Sequence, residues 1–240
     1  MTDRRLLLLL SLAFAVAACG SPLENAAGSF MEQIRLGDPA AQQTYAESRE
    51  LLESAEALPI WTDAVANADS PQVRRWAATL LGNIGDASSL PVLSAAMSDS
   101  REVRDAAIDA IGQFDPADAA GALAAALTDG TRDAQTPALA ALARMGDDAA
   151  PAVDAIGAAA ASDESIVAST AVNTLADIGT DGAIAALNGL ATDTALDMGR
   201  RKSAIQALQR IEAPGAAAAL TEIGAAIAEE EGADDLRALF

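Results

Sequence analysis

The stretch Val73-Arg74-Arg75-Trp76-Ala77-Ala78-Thr79-Leu80-Leu81-Gly82-Asn83-Ile84-Gly85 decides the architecture, because its pattern returns four more times. The other copies run from Val103 to Asp115, Ala134 to Gly146, Val167 to Gly179 and Arg200 to Glu212. With Ile84, Phe114, Met145, Ile178 and Ile211 as anchors, successive copies are 30, 31, 33 and 33 residues apart. Seven residues before each anchor stands an alanine: Ala77, Ala107, Ala138, Ala171 and Ala204. Three before each stands an aliphatic residue: Leu81, Ile111, Leu142, Leu175 and Leu208. Offsets of 11, 7, 3 and 0 fall on one stripe of an α-helix, so each copy predicts a helix with one buried face. Gly85, Gly146 and Gly179 follow their anchors, where a helix stop belongs.

Shorter apolar segments lie between these helices. Leu58-Pro59-Ile60-Trp61 and Leu90-Pro91-Val92-Leu93 open two of them, and Ala149 to Val153 and Ala183 to Leu187 are later counterparts. Each runs about three turns and ends near an aspartate: Asp69, Asp99, Asp129, Asp163 or Asp193. Proline early in such a segment suits a first helical turn. The unit is therefore helix, turn, helix. No strand-like alternation appears, and alanine, 62 of the 240 residues, favours helix and lets helices approach closely. One pair buries too little to stand alone, so stability comes from stacking. Residues 214–228 predict one more first helix, and residues 39–56 an N-terminal helix covering the first repeat.

The succession Leu-Pro-x-Leu, Asp, Val-Arg, Ala-Ala, Leu-Gly-x-Ile-Gly resembles HEAT repeats, most closely the short HEAT-like repeat of phycobilisome lyases, over about residues 58–212. That resemblance implies an all-α fold, an α-solenoid of stacked two-helix HEAT-like repeats. It also implies that Arg74 and Arg104, with Asp69 and Asp99, link neighbouring repeats, and that the second helices line the concave side. The Arg position is occupied by Gln135 and Ala168 in the third and fourth copies. Trp61 aligns with Leu93 and belongs to the core; Trp76 aligns with small residues and fits either the core or the flank of an open groove.

Composition excludes whole classes of function. The chain has no His and one Cys, which removes Ser-His-Asp triads, internal disulfides and most transition-metal sites. The iron site of deoxyhypusine hydroxylase, a HEAT-like enzyme that uses His and Glu, cannot be built. The net charge of −20 opposes a basic footprint for nucleic acid or anionic lipid, and with it the groove of HEAT-like DNA glycosylases. Asp147-Asp148 and Glu229 to Glu231 lack the spacing of a calcium loop and read as solvated surface. The expectation is a non-catalytic protein with no metal and no cofactor.

The N-terminus carries an address. Arg4 and Arg5 precede Leu6 to Ala18, an uncharged run of 13 residues. A bilayer span needs roughly 20, so the run fits the core of an export signal. It ends in Val16-Ala17-Ala18-Cys19, which resembles the lipobox of bacterial lipoproteins. That likeness implies cleavage before Cys19 and lipidation of its thiol. The alternative is an ordinary signal cut after Ala17. With Gly20 next, the resemblance implies an outer-membrane protein facing the periplasm if the cell is Gram-negative. The expected division is a signal over 1–18, a tether and N-terminal segment over 19–38, the solenoid over 39–230 and an acidic tail or cap over 231–240.

Offsets 9, 5 and 1 before each anchor point away from the buried stripe. Among them, Arg75, Thr79, Asp105, Asp109, Arg144, Asn173, Lys202, Gln206 and Arg210 are the candidate partner-binding residues. This row carries about as many cations as anions, in a chain otherwise strongly acidic. The expected role is a lipid-anchored, protein-binding scaffold of the cell envelope, with an accessory or regulatory subunit of an envelope enzyme as the alternative.

Overall fold

A computed structural model describes residues 20–230 and 232–240, all helix, turn or coil. The lipobox and Cys19 lie outside these residues. No described helix is long and apolar enough to cross a membrane.

The described residues start with two helices that the five-copy stripe does not announce. Helix α1 spans Pro22–Leu36 and α2 spans Ala40–Leu52. The segment 19–38, expected as tether and N-terminal segment, thus contains a full helix with both ends closed. The Ser21 hydroxyl accepts from the Glu24 N–H at 3.2 Å, and the Glu24 carboxylate accepts from the Ser21 N–H at 2.6 Å. This reciprocal cap satisfies two donors that a helix start leaves free. Phe30 of α1 is buried and packs edge-on against Trp61 and Trp76, with centroids 6.3 and 5.4 Å away. Tyr45 of α2 completes the cluster, and the Trp61 indole donates to the Leu52 carbonyl at 2.7 Å. Trp76 is therefore half-buried beneath the N-terminal pair, not the flank of a groove.

Five two-helix units follow. Their first helices are α3 (Leu58–Asn67), α5 (Leu90–Ala96), α7 (Pro116–Asp129), α9 (Val153–Ala160) and α11 (Asp181–Thr192). A 3-10 stretch, Gly146–Ala152, leads into α9. The second helices are α4 (Pro71–Ile84), α6 (Arg101–Ile111), α8 (Arg132–Met145), α10 (Ser165–Ile178) and α12 (Met198–Arg210). Helix α13 (Pro214–Ala228) is one more first helix, and the short α14 (Asp234–Arg237) closes the end. First helices pack on first helices and second on second, so the chain is an α-solenoid of two layers.

The predicted stripe forms the seam between the layers. All five alanines at offset 7 and all five aliphatics at offset 3 are fully buried. Each such leucine or isoleucine is worth roughly 1.5–3 kcal/mol of burial. The anchors themselves lie at the edge: only Ile178 is buried, and Phe114 and Ile211 fall beyond the ends of α6 and α12. Gly85 and Gly179 stop their helices in the left-handed region, at φ 70° and 62°.

The fifth unit corrects the alignment at offset 11. Arg200 is only half-buried, paired with Asp163 and Asp197, while the adjacent Arg201 is 3% exposed. Arg201 occupies the Arg position, ten before the anchor. There Arg74, Gln135 and Arg201 behave alike. Each donates to a carbonyl at the end of its own unit's first helix: Ala68 at 2.6 Å, Leu127 at 2.8 Å and Ala191 at 2.9 Å. The two arginines also reach the end of the next first helix. Arg74 grips Asp99, and Arg201 grips Glu230 at 2.5 and 2.6 Å. A cation at a helix C-terminus complements the helix dipole. Arg237 of α14 bonds the Ile227 carbonyl at 3.1 Å and Leu236 is buried, so the last residues fold back as a cap.

Candidate functional site

Three consecutive second helices, α6, α8 and α10, wall a groove of about 780 Å³. Helix α6 contributes Asp105, Ile108 and Asp109; α8 contributes Pro137, Ala140, Ala143 and Arg144; α10 contributes Thr170, Asn173, Thr174 and Asp177. The spacing of four residues repeats on each helix because a turn takes 3.6. The floor is partly apolar and the rim charged. Two ties hold the α10 wall. Buried Thr174 donates its hydroxyl to the Leu139 carbonyl of α8 at 3.3 Å, and Arg210 of α12 donates to the Asn173 side chain at 2.8 Å. Asp105 sits 3.7 Å from Arg101, one turn earlier. Among the described residues, Asp109, Asp177 and Arg144 enter no ion pair within 4.0 Å, although all three line the same groove. Their charges face solvent and remain available.

The nine sequence candidates fall in three places. Asp105, Asp109, Arg144 and Asn173 line the groove. Arg75 and Thr79 line a neighbouring hollow of about 360 Å³ between α4 and α6, which shares Asp105 and Asp109. The Arg75 guanidinium also lies 5.9 Å from the Trp76 ring centre, a cation–π distance. Lys202, Gln206 and Arg210 are exposed on α12, beyond the groove; of these only Arg210 touches a groove residue. The groove is wider than the single row that sequence offsets selected. Ile108, Pro137, Ala143, Thr170 and Thr174 belong to it at offsets 6, 8, 2, 8 and 4, positions nearer the buried stripe. Their signal was weak because each looks like ordinary flank of an amphipathic helix.

No group of three or more His, Cys, Asp or Glu among the described residues is arranged to hold a metal ion. A partly apolar floor, with hydrogen-bonding and charged groups along three helices, is an arrangement that would set the register of a bound segment.

Comparison with known proteins bears on the fold. HEAT repeats match residues 29–106 and 58–143. Among solved structures, human deoxyhypusine hydroxylase in complex with glycerol is 22% identical, over 87% of this chain and 81% of that chain, with a TM-score of 0.37. An engineered protein is 23% identical, over 72% of this chain and 88% of that one, with a TM-score of 0.42. None of the curated proteins matches. The family match begins within α1, earlier than sequence reading placed the repeats, and the same two-helix unit continues to α13. Residues 29–143 match HEAT repeats, and the described residues form an all-α solenoid of stacked HEAT-like units.

Proposed function

We propose that this protein is a non-catalytic scaffold that binds a protein partner along the groove of its second helices, and that a lipid on Cys19 ties it to the cell envelope. The observation that carries the binding role is the groove itself: about 780 Å³, continuous over three units, with Asp109, Asp177 and Arg144 all unpaired on its walls. Here opposite charges share one groove without meeting, which suits a segment laid between them. The chain has no His, which removes Ser-His-Asp triads and supports a binding role. The anchoring rests on Arg4, Arg5, Leu6 to Ala18 and the sequence Val16-Ala17-Ala18-Cys19. An outer-membrane location facing the periplasm follows if the cell is Gram-negative.

Crosslinking in intact cells followed by recovery from membranes tests both halves. The expected result is a partner that crosslinks to photoreactive residues placed at Asn173 or Ala140 and not to one placed at Gly121 on α7. Crosslinks confined to other faces overturn the groove reading. Recovery of the chain wholly in the soluble fraction, starting at Ala18, overturns the anchor.

A further inference from the structure

The stack of second helices is tight at one junction and open at the next. Between α4 and α6 the helices touch: a Cβ added to Gly82 would lie 2.8 Å from the Ala110 Cα. Gly112 stands in the same register, thirty residues on. There an added Cβ would meet only the carbonyls of Ile108 and Asp109, its own chain, at 3.5 and 3.6 Å. Helices α6 and α8 barely meet, and their units are joined mainly through α5 and α7. Helix α6 ends early, at Ile111, and α8 carries Pro137, which removes the N–H owed to the Asp133 carbonyl. The result is a crevice of about 330 Å³ that opens from the groove and runs down to Ala119 and Leu123 of α7, both 2% exposed. Ile108, Ala141 and Met145 make its sides. Asp109 and Arg144 stand at the mouth, where crevice and groove join.

Resting on the groove reading above, we infer that this crevice is the specificity pocket of the scaffold, and that its occupant is a basic peptide segment carrying one large unbranched apolar residue. The apolar side chain enters between α6 and α8, against Ile108, Leu123, Ala141 and Met145. The segment's Lys or Arg residues meet Asp105 and Asp109, which lie one turn apart on α6, about 6 Å along the axis. Asp177 faces them across the groove. The single groove cation, Arg144, fixes direction by repelling a basic residue on the α8 side. Charge complementarity selects this partner chemistry: three groove carboxylates against one guanidinium, on a chain of net charge −20. An anchor seated in a desolvated pocket with charged flanks is the arrangement in which few residues carry most of the binding energy.

The test is selection of a random twelve-residue peptide library on the full chain, followed by affinity measurement of the enriched peptides on variants. Gly112→Met plugs the crevice from its own wall; the backbone there, φ −65°, accepts any side chain. Asp105→Asn with Asp109→Asn removes charge at exposed positions. Gly121→Met, on α7 with nothing within 4 Å, is the control. The expected result is a consensus of Lys or Arg beside Leu, Met or Phe, bound about tenfold or more weakly by each of the first two variants and equally by the third, with unchanged melting. Peptides lost on Arg144→Glu but indifferent to Gly112→Met overturn the crevice and leave the groove standing. Peptides indifferent to every groove variant overturn both.

Discussion

Arg74 and Asp99 lie 25 residues apart and meet as a two-pronged pair, Nε to Oδ2 at 2.6 Å and Nη2 to Oδ1 at 2.9 Å. The pair bridges the first and second repeats at one edge, with both side chains mostly shielded from solvent. The Arg74 hydrogen bond holds the Asp99 carboxyl below its ordinary value of 3.8, against the opposing effect of burial. A carboxyl depressed in the folded state stabilises above its unfolded value, and loses that contribution as pH falls through its folded value. Asp99→Asn should therefore cost roughly 1–3 kcal/mol at neutral pH, and the gap to wild type should close at the acid limit. Urea midpoints of both proteins at the two pH extremes decide this; a gap that persists in acid would assign the loss to packing instead.

Leu142 stands at offset 3 in the middle unit and is fully buried. Leu142→Ala should destabilise by roughly 2–5 kcal/mol. Because repeats share interfaces, hydrogen exchange should quicken in α7 and α10 as well as in α8. A midpoint equal to wild type would show that the stripe does not bear the stack.

Gly82 and Gly112 share a register and should answer differently to the same change. Gly82→Ala forces α4 and α6 apart, since the new methyl would meet Ala110 backbone. Gly112→Ala has room and should be neutral or stabilising by about 0.4–1 kcal/mol, through the unfolded chain. Thermal melting of the two variants side by side is the measurement, and an equal loss in both would contradict the open junction.

Arg144 on α8 and Lys202 on α12 are exposed cations of the second-helix face, separated by α10. Arg144→Glu with Lys202→Glu removes the repulsion on the α8 side and should tighten capture of a basic segment while relaxing its direction, shifting stability by no more than about half a kcal/mol. Capture at the wild-type level by a folded double variant would remove this face from the binding role.

Cys19→Ser should release the chain from membranes, because the thiol that would carry the lipid is gone. Detergent partitioning and mass spectrometry of the mature N-terminus provide the readout. A wild-type chain whose mature N-terminus carries no lipid would defeat the lipobox reading.

The periodic part of the fold was legible because it is local. An alanine every repeat at offset 7 and an aliphatic at offset 3 can be read without knowing any neighbour, and all ten residues are buried. Helix α1 was legible in principle: Leu23, Ala27, Phe30 and Ile34 are spaced for one face, and Ser21 with Glu24 signals the cap. No copy of the alanine-and-aliphatic stripe points to it. The crevice was not legible. Gly82 and Gly112 look alike in sequence, and only the packing across from each separates a closed junction from an open one. The position of Arg75, a candidate partner-binding residue, over the Trp76 ring was not legible either, because the place of Trp76 depends on helices outside the five-copy stripe.

The thin junction after Ile111 has a consequence for how the molecule comes apart. Neighbour-only contacts make a repeat array a chain of couplings, and unfolding starts at the weakest coupling. Here the upstream units are bolted by the Gly82–Ala110 contact and the aromatic cluster, and the downstream units by Thr174, Arg201 and the folded-back C-terminus. The four residues 112–115 lie between two cooperative blocks. Tension along the solenoid axis would part the array there, in two steps, each half keeping its own core while the apolar slot between α6 and α8 is exposed. Under the proposed tether at Cys19 and the proposed occupant of that slot, a pull between the two would open the slot first and make the hold on the partner sensitive to load.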